Sequence, residues 1–360
     1  MTTPDTTSLS NPASAGERGW RKLILALVAF VILPTYPQLR AFLPIDQTIY
    51  LLVPCLAACF LVGWWAGGRA ILAIGWVALA TWMMWQRAGT PDSFHNLERG
   101  WSLLLAGAFG LACLFGERRP LFARALAALS IALFLAVAMS AMGPVPLSEA
   151  KQTIATEFVH RNGDAMARIN DAIAHYPKEW SDLTTRFPQL AQVPAQIDQD
   201  LKVWSRLGLT LFPSLLALES LFALALSWAI YHRLSRARLG APLRPLREFR
   251  FNDQLVWGLI AGLTIAFLPT LESLHGVGRN VLVFFYALYA LRGFGVLAWF
   301  LAPGAILATL TVSFAVLSFP ALPPTVGITG YKVLLLAIFA LGLGDTWADW
   351  RRRRTSSTSS

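Results

Sequence analysis

Two ionisable side chains interrupt long apolar runs and hold most of the chemistry this sequence offers. Glu219 sits in ALESLFALAL, and Arg292 in FFYALYALRGFGVLAW directly before Gly293. A charge at the centre of a bilayer costs about 2.5–3.5 kcal/mol even on insertion scales, so such groups face a bundle interior and pair, or serve a ligand. Counted from the outer ends of two spans running in the same direction, they differ in depth by only about 3 Å. Glu219, Arg292 and Gly293 are therefore a candidate intramembrane polar site, with Glu219 and Arg292 expected to face each other. Such a site serves a substrate or coupling ion, or else is a structural ion pair. Gly293 and Gly295 would let backbone approach a ligand or let the span bend. Asp345 and Asp349, close to Arg351–Arg354, read as a solvated helix end.

Other chemistry is thin. The chain has no glycine-rich phosphate loop ending in Lys-Ser/Thr, no HExxH and no nucleophile elbow. His95, His160, His175, His232 and His275 are scattered among loops and span ends. Cys55 and Cys59 share a helix face, but with no histidine or carboxylate beside them they and Cys113 read as small hydrophobes. The expectation is a non-enzymatic protein with no catalytic residue, cofactor or metal.

These residues need helices to position them, and composition says which kind. Of 360 residues 56% are hydrophobic and 14% charged, with mean hydropathy +0.53. Soluble domains carry roughly 25% charged residues. Apolar runs of about 20 residues recur, as in bilayer-spanning helices, without the period-two alternation of a membrane barrel. The fold class is all-α, a polytopic transmembrane helix bundle of about ten spans. Their expected positions are Arg21–Leu43, Ile49–Ala66, Ala70–Gln86, Gly100–Phe115, Leu121–Gly143, Gly208–His232, Gln254–Leu271, Arg279–Leu301, Pro303–Phe319 and Val326–Trp347.

The net charge of +10 is concentrated in loops. Between two apolar runs, Tyr231–Asp253 carries Arg233, Arg236, Arg238, Arg244, Arg247 and Arg250, while Pro242 and Pro245 keep it from forming one helix. Short arginine-rich loops stay cytoplasmic, which fixes the threading: both termini inside, in the bacterial cytoplasmic membrane. The six arginines are expected to contact anionic lipid headgroups or membrane-protein partners. Nucleic acid is not expected, because no base-reading aromatics accompany them.

Organisation follows. Residues 1–20 read as a disordered N-terminus, 21–143 as a first half of five spans, 144–207 as an extracytoplasmic segment, 208–348 as a second half of five spans and 349–360 as a basic tail. In the extracytoplasmic segment Ile154, Phe158, Met166, Ile169, Ile173 and Tyr176 recur at helical steps, broken at Asn162–Gly163, and Pro177, Pro188 and Pro194 divide the remainder. It is too short and too poor in large apolar side chains to fold alone.

The second half resembles a known family. A polar segment is followed by LFPSLLALESLFALALSWAIYHRLSR and PLRPLREFRFNDQLVWGLIAGL, then RNVLVFFYALYALRGFGVLAWF and a closing LGLGDTWADWRRR. Over roughly Ala125–Arg354 this pattern is similar to the YybS-like family of predicted bacterial membrane proteins, a domain of unknown function. The chain departs from that pattern at Arg292, where an uncharged polar residue is usual, and at Glu219. The resemblance implies a fold similar to the substrate-binding subunits of energy-coupling-factor transporters and to the cell-shape protein MreD. Two functions are accordingly expected: a solute-binding or transport-related component with an unknown small-molecule ligand, or an MreD-like envelope scaffold.

Overall fold

Prolines and polar loops cut the apolar runs into helices, and in the computed structural model the elements between them are all helical. The structure describes residues 19–86, 93–116, 119–143, 146–235, 239–301, 305, 308, 311–313 and 324–348, the side chains of 324–328 excepted; no strand occurs among them. The helices are α1 (Trp20–Ile32), α2 (Pro37–Arg40), α3 (Ile49–Trp65), α4 (Ala70–Gln86), α5 (Ser93–Phe115), α6 (Leu121–Met142), α7 (Leu147–His175), α8 (Pro177–Arg186), α9 (Val193–Thr210), α10 (Phe212–Leu234), α11 (Val256–Phe267), α12 (His275–Phe300) and α13 (Pro324–Ala348).

Five segments are long and apolar enough to cross a membrane: Ser93–Phe115, Leu121–Met142, Phe212–Leu234, Pro269–Phe300 and Thr329–Ala348. Three shorter apolar ones join them, Ile49–Trp65, Ala70–Gln86 and Asp253–Phe267. The first expected span is short for a crossing, because Pro34 and Pro37 stop α1 after 13 residues. The ninth, Pro303–Phe319, lies largely outside the described residues.

α10 is the axis of the bundle and the most buried of the five long segments. It packs on α1, α3, α6, α9 and α12, and polar side chains fix its neighbours. Trp101 Nε1 donates to Ser220 Oγ at 2.9 Å, and Ser227 Oγ to the Leu52 carbonyl at 3.2 Å. Around it lies an apolar core of α1, α3, α5, α6 and α10 side chains, including Leu51, Leu105, Phe109 and Trp228. A smaller core around Phe251, Leu259, Leu288 and Tyr289 joins α11, α12 and α13.

The polar segment folds as α7, α8 and α9, each new element opening on a proline within its first turn, where the missing amide hydrogen costs nothing. α7 runs unbroken through Asn162–Gly163, contrary to expectation. The break falls instead at Leu211, between α9 and α10, and Asn280 of α12 braces it. Its Nδ2 donates to the Thr210 carbonyl at 2.9 Å, while its Oδ1 accepts from Ser214 N and Oγ. α7 and α9 pair as a hairpin over one end of the bundle.

Candidate functional site

Where the hairpin meets the bundle, Arg161 of α7 is 2% exposed and commits its donors inward. Nε donates to Glu157 Oε1 at 2.8 Å. One terminal nitrogen donates to the Leu43 carbonyl at 2.9 Å and the Arg40 carbonyl at 3.4 Å, the other to the Pro44 carbonyl at 3.3 Å. The rings of Phe94 and Phe158 lie 5.0 and 5.5 Å from its guanidinium carbon. Thus one arginine caps the carbonyls of the turn after α2, which no helix satisfies, and ties the hairpin to it. Gly208 lets α9 close on the same turn: a Cβ there would stand 2.6 Å from the Phe42 carbonyl oxygen.

Acids gather around this guanidinium. Asp46 accepts from Arg40 at 3.0 Å and stands 3.8 Å from Arg161, and Glu98 of α5 is 4.0 Å from it. Glu219 belongs here. Its Oε2 accepts from the Ile45 amide at 3.2 Å, its Oε1 is buried without a hydrogen-bond partner, and Glu98, Asp46 and Arg161 are its charged neighbours. Among the described residues Asp46 and Glu157 pair with these guanidiniums, while Glu98 and Glu219 lie close to Arg161. A buried charge left unbalanced is costly unless a counter-charge or proton meets it.

A cleft of about 410 Å³ opens beside this cluster, between α7 and the start of α5. Phe94 and Glu157, which hold Arg161, form part of its wall; Glu149, Thr153, Thr156 and His160 of α7 continue it, and no Lys or Arg lines it among the described residues.

Arg292 lies elsewhere, with other partners. Its Nε donates to Asp345 Oδ2 at 2.9 Å and one terminal nitrogen to Asp253 Oδ1 at 2.7 Å. The other donates to the Asp345 carbonyl at 3.1 Å, and the Phe251 ring is 5.3 Å from its guanidinium carbon. The expected Glu219–Arg292 pair is therefore corrected. Asn280 of α12 is bonded to Ser214 of α10; from that shared level Glu219 lies five residues along α10 and Arg292 twelve along α12, a difference of about 10 Å. The helix starts depart from the expected span ends, Gly208 and Arg279, in opposite senses, which hides this offset in the sequence. Asp345 is 1% exposed rather than a solvated end; Asp349 lies outside the described residues. Gly293 serves packing: a Cβ there would collide with the Ile338 carbonyl of α13, and one on Gly342 with the Tyr289 carbonyl of α12.

The central loop is fastened to the bundle at both ends. Arg124 of α6, 1% exposed, donates to the Leu239 carbonyl at 3.1 Å and the Gly116 carbonyl at 2.9 Å, and Trp228 Nε1 donates to the Ala241 carbonyl at 3.1 Å. Phe122 meets Phe249 edge-to-face and stacks with Phe251, and Arg292 holds Asp253. Arg233 donates to the Ala229 carbonyl at 2.9 Å and lies over Trp20, while Arg244, Arg247 and Arg250 are exposed. Arg236 and Arg238 lie outside the described residues.

Residues 96–346 match the model of a family described as a predicted membrane protein, DUF2232. The chain belongs to this family. No curated protein and no solved structure matches it. The match agrees with the YybS-like resemblance and runs from α5 into α13, so it includes Glu98, Arg124, Arg161, Glu219, Arg292 and Asp345. Arg40 and Asp46 precede it. Three of these DUF2232-region residues escaped the sequence reading. Arg124, in LFARALAAL, carried the same signal as Arg292, a charge inside an apolar run. Arg161 and Glu98 carried none, since each stands among polar neighbours.

Proposed function

We propose that this multi-pass membrane protein is a non-enzymatic, solute-binding or transport-related component of the bacterial cytoplasmic membrane, and that its binding region is the cleft beside Arg161. The observation that carries this reading is the cleft itself, lined by acids, hydroxyls and a histidine and adjoining a buried cluster in which Glu219 keeps an oxygen unpartnered. Pockets of roughly 300–1,000 Å³ suit small molecules. In this reading the hairpin lies outside, the central loop and both termini face the cytoplasm, and the chain crosses about ten times.

A second reading has its own support. The central loop is fastened at Leu239, Ala241 and Asp253 and presents Arg244, Arg247 and Arg250, with Leu243 and Leu246 also exposed beside them. Such a surface suits anionic headgroups or an envelope protein, as an MreD-like scaffold requires. Purification from native membranes separates the two. A small molecule recovered from the denatured sample in molar proportion to the protein supports solute binding. Stoichiometric envelope-synthesis proteins and no small molecule would establish the scaffold instead.

A further inference from the structure

We propose that the cleft takes a solute carrying a positively charged amine. This rests on the solute-binding reading and adds the solute's charge to it. The lining of the cleft points that way. The cleft wall carries the carboxylates of Glu149 and Glu157 and no cation among the described residues, with Thr153, Thr156 and His160 to orient a polar ligand. Behind this wall Glu157 pairs with Arg161, and Glu219, only 7% exposed and outside the cleft lining, leaves Oε1 without a partner.

An anionic solute finds nothing to hold it there. The Arg161 guanidinium is 2% exposed as a residue and spends its donors on Glu157 and three backbone carbonyls. An ammonium group suits the cleft because charge-assisted hydrogen bonds to carboxylates are the stronger kind. Glu157 is placed to give one, since the bond from Arg161 engages only its Oε1. No three of His, Cys, Asp and Glu converge as metal ligands among the described residues, so the arrangement favours an extended organic cation over a chelated metal ion.

The test is thermal unfolding of the full-length protein in mild detergent at constant ionic strength. Putrescine is the probe, with succinate and erythritol as anionic and neutral molecules of the same carbon length. Putrescine is expected to raise the melting temperature saturably while the other two do not. Its half-saturating concentration is expected to rise about two- to fivefold in Glu149→Gln, the loss of one partly solvated ion pair. Glu149 is exposed in the first turn of α7, so the variant keeps the parent fold. A saturable shift with succinate or erythritol and none with putrescine overturns the amine class and leaves solute binding standing. A putrescine shift unchanged in Glu149→Gln places the amine elsewhere and overturns the proposal. No shift with any probe, together with no small molecule on the purified protein, removes both readings.

Discussion

Arg292 divides its guanidinium between a buried aspartate, Asp345, and a half-exposed one, Asp253, and the cost of removing any member follows from that division. Arg292→Gln removes the guanidinium that faces Asp345 at 1% exposure and is expected to cost about 3–5 kcal/mol. Asp345→Asn leaves Arg292 with Asp253 and is expected to cost less, about 1–3 kcal/mol. Because the two side chains touch, their double variant should recover part of the summed loss. Combining Arg292→Gln with Glu219→Gln should instead give losses that add to within about 0.5 kcal/mol, as for separated sites with no shared partner. Melts of the five variants in detergent check both statements. At this scale the sequence revealed the charges inside apolar runs, Glu219 and Arg292, but not their partners. Arg161 stands in VHRNGD and Asp345 six residues before Arg351, where charge looks solvated; only the fold, by bringing carbonyls and apolar rings over Arg161 and the Arg292 guanidinium onto Asp345, makes them buried.

Helix crossings set the next level. α12 and α13 approach backbone to backbone where Gly293 faces Ile338 and Gly342 faces Tyr289, so Gly293→Ala is expected to cost about 1–3 kcal/mol through overpacking. Gly240→Ala meets two obstacles, a backbone at φ +80° and the Arg124 guanidinium 2.5 Å from the new Cβ. It should loosen the central loop where Arg124 and Trp228 fasten it, at about 1–2 kcal/mol. Limited proteolysis near Arg244 checks this: cleavage should quicken in Gly240→Ala and not in Gly293→Ala. Element positions were legible because apolar runs and prolines mark them, as at Pro177, Pro188 and Pro194. The start of α10 was not, because α9 ends in LGLT and passes into FPSLL with little change in hydropathy. What ends α9 is Pro213 in the first turn of α10 together with the bracing by Asn280.

At the scale of the whole molecule, a polar hairpin closes one end of the bundle and an arginine-bearing loop lies across another part of it, anchored at Arg124 and Arg292. Charge asymmetry across a membrane predicts that reporter fusions after Ala241 and after Arg354 register cytoplasm and one within residues 164–194 registers the outside. A cytoplasmic signal from the hairpin would reverse the orientation of the cleft. The all-helical membrane class was legible from composition alone. The cleft was not, since it needs α7 set against the start of α5, residues more than fifty positions apart. The most direct test of the cleft as a solute site is native mass spectrometry of the full-length protein beside Glu149→Gln. The expected result is a non-lipid adduct of small-molecule mass on the parent, reduced or absent on the variant. Lipid adducts alone on both proteins, or an equal small-molecule adduct on both, would contradict it.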